Sequence, residues 1–341
     1  MRTRTVLLGL ITTLTSMALL GTTAEADPDF VLNFGTVAPE GTPWASQLQD
    51  IKTRVESESN GRIKVKLFLG GSLGGEIEMI QDVSRGERLQ GGGFSSGALG
   101  EALDIPMLQM VELPYLFRSN QEADVVLDEI LYEPTTSALA DRGITFYAWS
   151  ENGWRNMATT GGPAPTPEAL RAFKMRSQES PVHQNMYEAL GVQAVSKPVS
   201  EVLPALNTGI VTGFDNTPLF SLAAGWMEPV THYTLTRHIY QPAAVVYAKP
   251  FVDSLPPDLR AILMNDPSGE AARGRQGVRA LEAELLSTIE AMGKEVVELT
   301  DEEQTAYRQA VRARVHAAFL TDHAELQGLY AQIKARLQAM R

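Results

Sequence analysis

Arg176 is the residue whose type and position are best suited to binding chemistry. It ends a short predicted strand, Ala172 to Arg176, that lies between a helical turn at Thr166-Pro167 and a second helix running from Ser180-Pro181 to Gly191. A guanidinium at the end of a strand presents a planar fork of donors that fits a carboxylate and stays charged at any relevant pH. The alternative is an arginine that caps a neighbouring helix end.

A second pattern suggests nucleophilic catalysis. Gly93-Phe94-Ser95-Ser96-Gly97 matches the G-x-S-x-G turn of serine hydrolases, and five histidines and many acids lie farther along the chain. The pattern is short and carries an additional glycine before Phe94, so it is weak evidence. A secreted serine hydrolase that uses Ser95 is retained as the alternative function.

The sequence gives no sign of a cofactor or a metal. The glycine loop from Gly70 to Gly75 lacks the G-K-[ST] of a P-loop and the spacing of a dinucleotide site. The chain has no cysteine, and its histidines show no H-E-x-x-H spacing. We therefore expect no bound cofactor, and only Glu76, where the glycine loop gives way to a helix, is singled out among the paired acids.

The N-terminus has the features of an export signal. Arg2 and Arg4 precede an apolar run from 6 to 21, and Ala24-Glu25-Ala26 forms an A-x-A cleavage pattern. We expect residues 1–26 to be a signal peptide, with cleavage after Ala26 and a periplasmic mature protein; an uncleaved membrane anchor is the alternative. The formal net charge of −12 argues against nucleic acid and anionic membranes as partners.

The order of predicted elements indicates an α/β protein of two lobes. A strand, helix and strand open the mature chain, and strands then alternate with helices over short connections. The run ITFYAWSENGWRNMATT predicts a strand, a turn and a second strand. Nearly unbroken helix is predicted over 268–292 and again over 301–340.

Seven segments, in their order along the chain, carry a resemblance to a known family. The mature chain resembles the DctP-type solute-binding proteins of TRAP (tripartite ATP-independent periplasmic) transporters over nearly all of its length. The segments are GTPWASQLQDIKTRVESESNGRIKVKLF, GGSLGGEIEMI, ELPYLFRS, SENGWRN, TPEALRAFKMR, EVLPALNTGIVTGFDNTP and LTRHIYQPAAVVYAKPFVDSLPPDLRAIL.

The resemblance implies a two-lobed periplasmic-binding-protein fold that closes over its ligand about a hinge, with a long helix spanning both lobes. We expect lobe I at 27–152 plus 240–280 and lobe II at 153–239 plus 281–341. It also implies a non-enzymatic, monomeric protein that delivers a small organic acid to the large and small subunits of a membrane permease, with uptake driven by an ion gradient. A ligand-sensing partner of a membrane receptor is a further alternative.

The resemblance also implies a ligand-binding set. Arg176 is expected to pair with a ligand carboxylate, and Arg155 and Asn216 are expected to assist it. We expect the other lining residues to be Trp154, Glu76, Phe94 and Ser95.

Two departures from the family pattern affect the ligand that we expect. Many relatives have G-Q-E-N-P where this chain has GFDNTP, which weakens the alignment at Asn216. The run LQGGGFSSG is rich in glycine where relatives carry varied ligand-contacting residues. Small side chains there, beside Trp149, Trp154 and Phe94, suggest a pocket for a bulky or aromatic carboxylate.

Overall fold

A computed structural model describes residues 27–341, so the expected signal peptide lies outside the described residues. Within this range, nine strands form one sheet. They are β1 (Phe30–Gly35), β2 (Ile63–Phe68), β3 (Gly91–Ser95), β4 (Ile144–Thr159), β5 (Lys174–Ser177), β6 (Gln193–Ser196), β7 (Gly213–Asn216), β8 (His232–Ala248) and β9 (Glu295–Val297).

Fifteen α-helices lie within the described residues, with a π-helical turn at Val126–Leu131 and a 3₁₀ turn at Ala324–Leu326. The helices are α1 (Pro43–Glu58), α2 (Glu76–Arg85), α3 (Ser96–Leu103), α4 (Pro106–Met110), α5 (Asn120–Val125), α6 (Tyr132–Ala140), α7 (Pro167–Leu170), α8 (Pro181–Leu190), α9 (Val199–Asn207), α10 (Pro218–Ala223), α11 (Lys249–Ser254), α12 (Pro257–Leu263), α13 (Pro267–Ala291), α14 (Asp301–Asp322) and α15 (Gln327–Met340).

Two long antiparallel strands, β4 and β8, hold the sheet together. The order is β2-β1-β3-β8-β4-β7-β5-β6, with β9 paired to β8. Parallel pairs therefore lie at both outer sides, β2-β1-β3 on one and β7-β5-β6 on the other. The long strands pass from one side to the other, so each side contributes loops to the space between them.

The expected turn between two strands at SENGW is wrong, because β4 runs through it without a break. The register shifts between Glu151 and Gly153, and Gly153 adopts a φ of +102°, which marks a β-bulge. Pro242 of β8 lies opposite Glu151 at this irregularity, where a missing backbone donor is tolerated. The chain therefore bends at this point while the strand pairing continues.

The longest helix, α13, packs against elements on both sides of the sheet. Near its start, the Gln47 side chain of α1 donates to the Glu270 carbonyl at 2.9 Å. Farther along, Arg279 pairs at 2.7 Å with both Asp124 and Glu151, and the same helix contacts α10 and β9. The helical region expected over 301–340 is divided into α14 and α15.

The larger of two hydrophobic clusters in the described residues extends through the molecule, from Leu32 of β1 to Leu337 of α15. Among residues 27–341, no helix has the length and apolar character needed to cross a membrane.

Candidate functional site

A narrow cavity lies between the two sides of the sheet and is lined mainly by polar side chains. The volume that the centre of a water molecule can reach is about 30 Å³, which is room for one or two waters. Gly75, before α2, and Pro198, before α9, lie close together, and each precedes a residue that lines the cavity. The lining residues are Val37, Glu76, Ile77, Ser95, Ala98, Asn152, Arg155, Arg176, Gln178, Glu179, Val199, Asn216, Phe220 and Gln241.

Arg176 is a buried cation with no carboxylate partner among the described residues. The side chain is 2% exposed, at the end of β5. Its Nε and Nη2 groups both donate to the Lys197 carbonyl, at 2.9 and 2.7 Å, and its guanidinium lies 5.4 Å from the centre of the Trp226 ring. Burial, and then repulsion from Arg155, lower the Arg176 pKa to about 10. Among the described residues, Nη1 and the second hydrogen of Nη2 have no partner, so they remain available to an anion in the cavity.

Arg155, in contrast, is neutralised by the protein. Its Nε donates to Asp215 Oδ2 at 2.6 Å and its Nη2 to the Asp215 carbonyl at 2.5 Å. Burial opposes ionisation of Asp215, but the charge of Arg155 and the contacts from His183 and His238 together outweigh burial and hold the pKa of this carboxyl well below its usual range. The pair therefore contributes almost no net charge to the cavity.

The remaining Arg155 donor organises the amides that line the cavity. Nη1 donates to Gln241 Oε1 at 2.8 Å, to Gln178 Oε1 at 3.2 Å and to Asn216 Oδ1 at 3.3 Å. Because these oxygens are occupied, the amide nitrogens of Gln178 and Asn216 point elsewhere. Gln178 Nε2 is buried without a partner among the described residues, and the hydrogen bonds of the Asn216 side chain use only its oxygen.

Asp215 also connects the site to a buried chain of polar groups. It accepts from Tyr187 at 2.7 Å and lies 3.7 Å from His183 Nδ1. His183 Nε2 is 2.8 Å from Glu112 Oε2. Since α8 supplies His183 and the loop after α4 supplies Glu112, these bonds join the two sides of the molecule behind the cavity.

Glu76, at the start of α2, and Ser95, at the end of β3, line the cavity with Arg176. Glu76 accepts from the Ser95 backbone amide at 2.7 Å and from Ser95 Oγ at 2.9 Å. Burial raises the Glu76 pKa to about 7, despite these bonds. Burial likewise raises the pKa of Glu179 at the other wall.

The groups around Ser95 suit a ligand-binding residue and not a nucleophile. Its hydroxyl donates to a carboxylate, and the histidine side chains nearest the cavity are engaged elsewhere, His183 with Glu112 and His238 with Thr236. A serine nucleophile needs an adjacent base to accept its proton. The geometry therefore does not reproduce the arrangement that the G-x-S-x-G pattern suggested.

Two expected lining residues do not reach this cavity. Phe94 is fully buried in the core, because side chains alternate along β3 and Ser95 takes the cavity face. Trp154 lies on the opposite face of β4 from Arg155, with its Nε1 donating to Asn120 at 2.7 Å. The expectation of extra room at the glycines is also wrong: added Cβ atoms at Gly91, Gly92 and Gly93 would collide with aromatic side chains of the protein.

Sequence reasoning missed Gln178, Asn152 and Gln241. Gln178 follows Arg176 by two positions, and residues i and i+2 of an extended chain share a face, so the alternation was a usable signal. Asn152 and Gln241 lie where β4 and β8 cross between the two sides. Their position depends on a long-range pairing that the local sequence does not reveal.

Comparison with known proteins agrees with this geometry. The family model DctP, described as "Bacterial extracellular solute-binding protein, family 7", matches residues 34–322. A solute-binding protein from Verminephrobacter eiseniae is 29% identical, over 87% of this chain and 86% of its own.

Two solved structures show the same fold. A TRAP periplasmic solute-binding protein from Ochrobactrum anthropi is 30% identical, with a TM-score of 0.78 over 93% of this chain and 97% of its own; its C-terminus is bound in its ligand pocket. One from Polaromonas is 26% identical, with a TM-score of 0.83 over 91% and 98% of the two chains, and is bound to D-erythronate.

Proposed function

Because the chain belongs to the bacterial extracellular solute-binding proteins of family 7, we propose that it captures a small organic acid outside the cytoplasm and delivers it to a TRAP membrane permease. In this role the protein catalyses no reaction. Arg176 pairs with the ligand carboxylate, while Arg155 and Asn216 assist, and Glu76 and Ser95 line the opposite wall.

The observation that carries this proposal is the unpaired charge on Arg176. A buried cation without a counter-ion is costly, and a carboxylate that supplies two acceptor oxygens compensates it. Gln178 and Asn216 line the same cavity, and their amide nitrogens donate no hydrogen bond within the described residues. Three donors of this kind suit the oxygen-rich end of an organic acid.

The two acids of the cavity narrow the proposed ligand to a monocarboxylic hydroxy acid. Glu76 and Glu179 face the space that the far end of a ligand occupies. A second ligand carboxylate would meet like charge there, whereas a hydroxyl can donate to either acid. The sugar acid D-erythronate in the Polaromonas protein has this combination of groups. A bulky aromatic acid is disfavoured because aromatic side chains already occupy the space beside the glycines.

We also propose that the lobes follow the division 27–152 plus 240–280 and 153–239 plus 281–341. These boundaries fall inside β4, β8 and α13, the three elements that pass between the sides of the molecule. The bulge at Gly153 supplies a bend in one of them. Ligand entry then requires the lobes to separate, since the small cavity corresponds to a closed conformation.

A thermal-shift screen of the mature chain tests the proposed ligand class. Erythronate, gluconate and glucuronate are compared with succinate and with the matching uncharged polyols. We expect the hydroxy acids to raise the unfolding midpoint and the polyols to leave it unchanged. Stabilisation by succinate alone would contradict the monocarboxylate assignment, and stabilisation by polyols as strong as by their acids would contradict the role of Arg176.

Three further parts of the proposal have direct tests. Light scattering after gel filtration measures the molar mass and so tests whether the protein is a monomer. Mass determination of the exported protein measures cleavage after Ala26. A fluorophosphonate probe that labels the wild type but not Ser95→Ala would contradict the absence of catalysis.

A further inference from the structure

A second, larger cavity opens on the face of β4 opposite the ligand cavity. Its water-accessible volume is about 560 Å³, and Trp154 lines it while the adjacent Arg155 lines the ligand cavity. The walls come from residues 115–120, from β4 and β8, and from α13 and α14. Three arginines surround it: Arg118, Arg237 and Arg308.

The positive surface continues between α14 and α15. A neighbouring cavity of about 590 Å³ shares Arg308 and adds Arg312 and Lys334. We call the continuous surface of Arg118, Arg237, Arg308, Arg312 and Lys334 the basic groove. It gathers five cations in a chain whose formal net charge is −12.

The charge of the basic groove is poorly compensated by the described residues. Arg237 has a single distant partner, Glu298 at 3.8 Å, and none of the other four groove cations forms an ion pair within residues 27–341. Nε of Arg312 is buried with no hydrogen-bond partner in the same part of the chain. Burial first, and neighbouring cations after it, lower the pKa values of Arg312 and Lys334. Such crowding of like charge favours an anionic occupant.

The acidic groups close to the groove do not neutralise its cations. Glu122 is held by Arg341 at 2.7 Å and also accepts from the Arg118 backbone amide. Glu282 lines the edge of the larger cavity and is the acid that faces it. The larger cavity is therefore lined by one carboxylate and three arginines.

The floor of the groove carries aromatic rings. Arg308 lies 5.6 Å from the centre of the Tyr115 ring, and Phe117 and Trp154 complete the apolar part. Tyr115 and Arg237 both have left-handed backbones, with φ of 57° and 41°, a strained conformation that clusters at binding sites. Tyrosine, tryptophan and arginine together are the residue types that dominate the energy of protein interfaces.

We propose that the basic groove docks an acidic segment of a partner polypeptide. Its carboxylates pair with the arginines and its apolar groups pack on the aromatic floor. A flat anionic membrane fits poorly, because the cations line a concave surface and the chain as a whole is negatively charged. The occupant bridges residues 115–120 and α14 and so contacts the molecule on the side opposite the ligand cavity.

Fluorescence anisotropy of the mature chain with a labelled hexaglutamate peptide tests the docking site. The double variant Arg308→Glu with Lys334→Glu reverses two groove charges. The matched control, Arg314→Glu with Arg336→Glu, makes the same charge change on the same two helices, at residues that pair with Glu188 and Glu129 outside the groove. We expect the wild type and the control to bind alike, and the groove variant to bind roughly tenfold more weakly or worse.

The salt dependence provides a second readout. Binding is expected to weaken as ionic strength rises from ~0.01 M to ~0.15 M, which shortens the Debye length from about 30 Å to about 8 Å. Equal weakening in both double variants would show an effect of net charge only and would overturn the proposal. So would absent peptide binding, or binding to phosphatidylglycerol vesicles in its place. Both variants keep the ligand cavity, so a hydroxy acid must still stabilise them; this control separates failure of the groove from failure of the proposed function.

Discussion

Replacing Arg176 with methionine should remove ligand binding without harming the fold. Methionine keeps much of the length of the side chain and removes the charge. The Arg176 pKa is lowered to about 10. At about 1.4 kcal/mol for each pH unit, this lowering corresponds to a cost of roughly 3 kcal/mol for holding the cation in the ligand-free protein. The variant is relieved of this cost but loses the two bonds to the Lys197 carbonyl. Because these two effects oppose one another, its unliganded stability should be close to that of the wild type or above it.

The effect on binding follows from the strength of a charged hydrogen bond. Such a bond in a desolvated site contributes about 1.5–3 kcal/mol, which is about 10-fold to 150-fold in the dissociation constant. A ligand at about 100 times its dissociation constant stabilises the wild type by ~2.7 kcal/mol, and by linkage the same concentration should stabilise the variant by only about 0.3–1.4 kcal/mol.

Thermal unfolding with and without the ligand, supported by titration calorimetry, measures both quantities. Arg171→Met is the matched control, because Arg171 lies just before the same strand and its side chain is 50% exposed and bound to Glu168 and the Leu190 carbonyl. We expect this control to respond to ligand as the wild type does. An Arg176→Met protein with the full ligand-induced stabilisation would refute the reasoning, and so would a large loss of unliganded stability.

Three other changes test the remaining parts of the site. Burial raises the Glu76 pKa from 4.5 to about 7, so the stabilising contribution of this group is lost as pH rises through this window. In urea titrations, Glu76→Gln should therefore gain up to about 3 kcal/mol relative to the wild type by pH 8. Asp215→Asn leaves Arg155 buried without its partner and should cost about 3–5 kcal/mol of unfolding free energy. The control Glu129→Gln removes a carboxylate from an exposed ion pair and should cost less than about 1 kcal/mol. Similar losses in both variants would contradict the claim that burial makes the Arg155–Asp215 pair important for stability. Phe94→Ala should cost about 3–5 kcal/mol in stability but leave the ligand dissociation constant, measured by calorimetry, unchanged. A weaker dissociation constant in the folded variant would place Phe94 in the ligand site.

The sequence predicted the architecture well, because the evidence for it is spread over the whole chain. Seven separated segments identified the family and its two-lobed α/β fold with a long helix, and the family match and the solved structures confirm both. The short strand that ends near Arg176 and the helix that ends at Gly191 also lie where they were expected. These features depend on local periodicity and caps, which a sequence displays directly.

The details of the cavity were harder to predict, because they depend on which face of a strand a residue occupies. Ser95 and Glu76 reach the cavity, but Phe94 takes the other face of β3 and Trp154 the other face of β4. The glycines beside Phe94 suggested room for a ligand, yet aromatic rings from β1, β3 and α1 fill that room. A glycine pattern alone does not distinguish space for a ligand from close packing of the protein.

The two arginines of the cavity differ in a way that explains how one site combines rigidity with affinity. Arg155 is neutralised by Asp215 and uses its last donor to orient Gln178, Gln241 and Asn216. Arg176 donates to one backbone carbonyl and lies over the Trp226 ring, and within residues 27–341 no carboxylate compensates its charge. Loss of Arg155 should therefore appear as unfolding, whereas loss of Arg176 should appear as failed binding. If both side chains were primarily ligand contacts, a buried carboxylate would not already occupy one of them, because an internal ion pair competes with the ligand for the same donors.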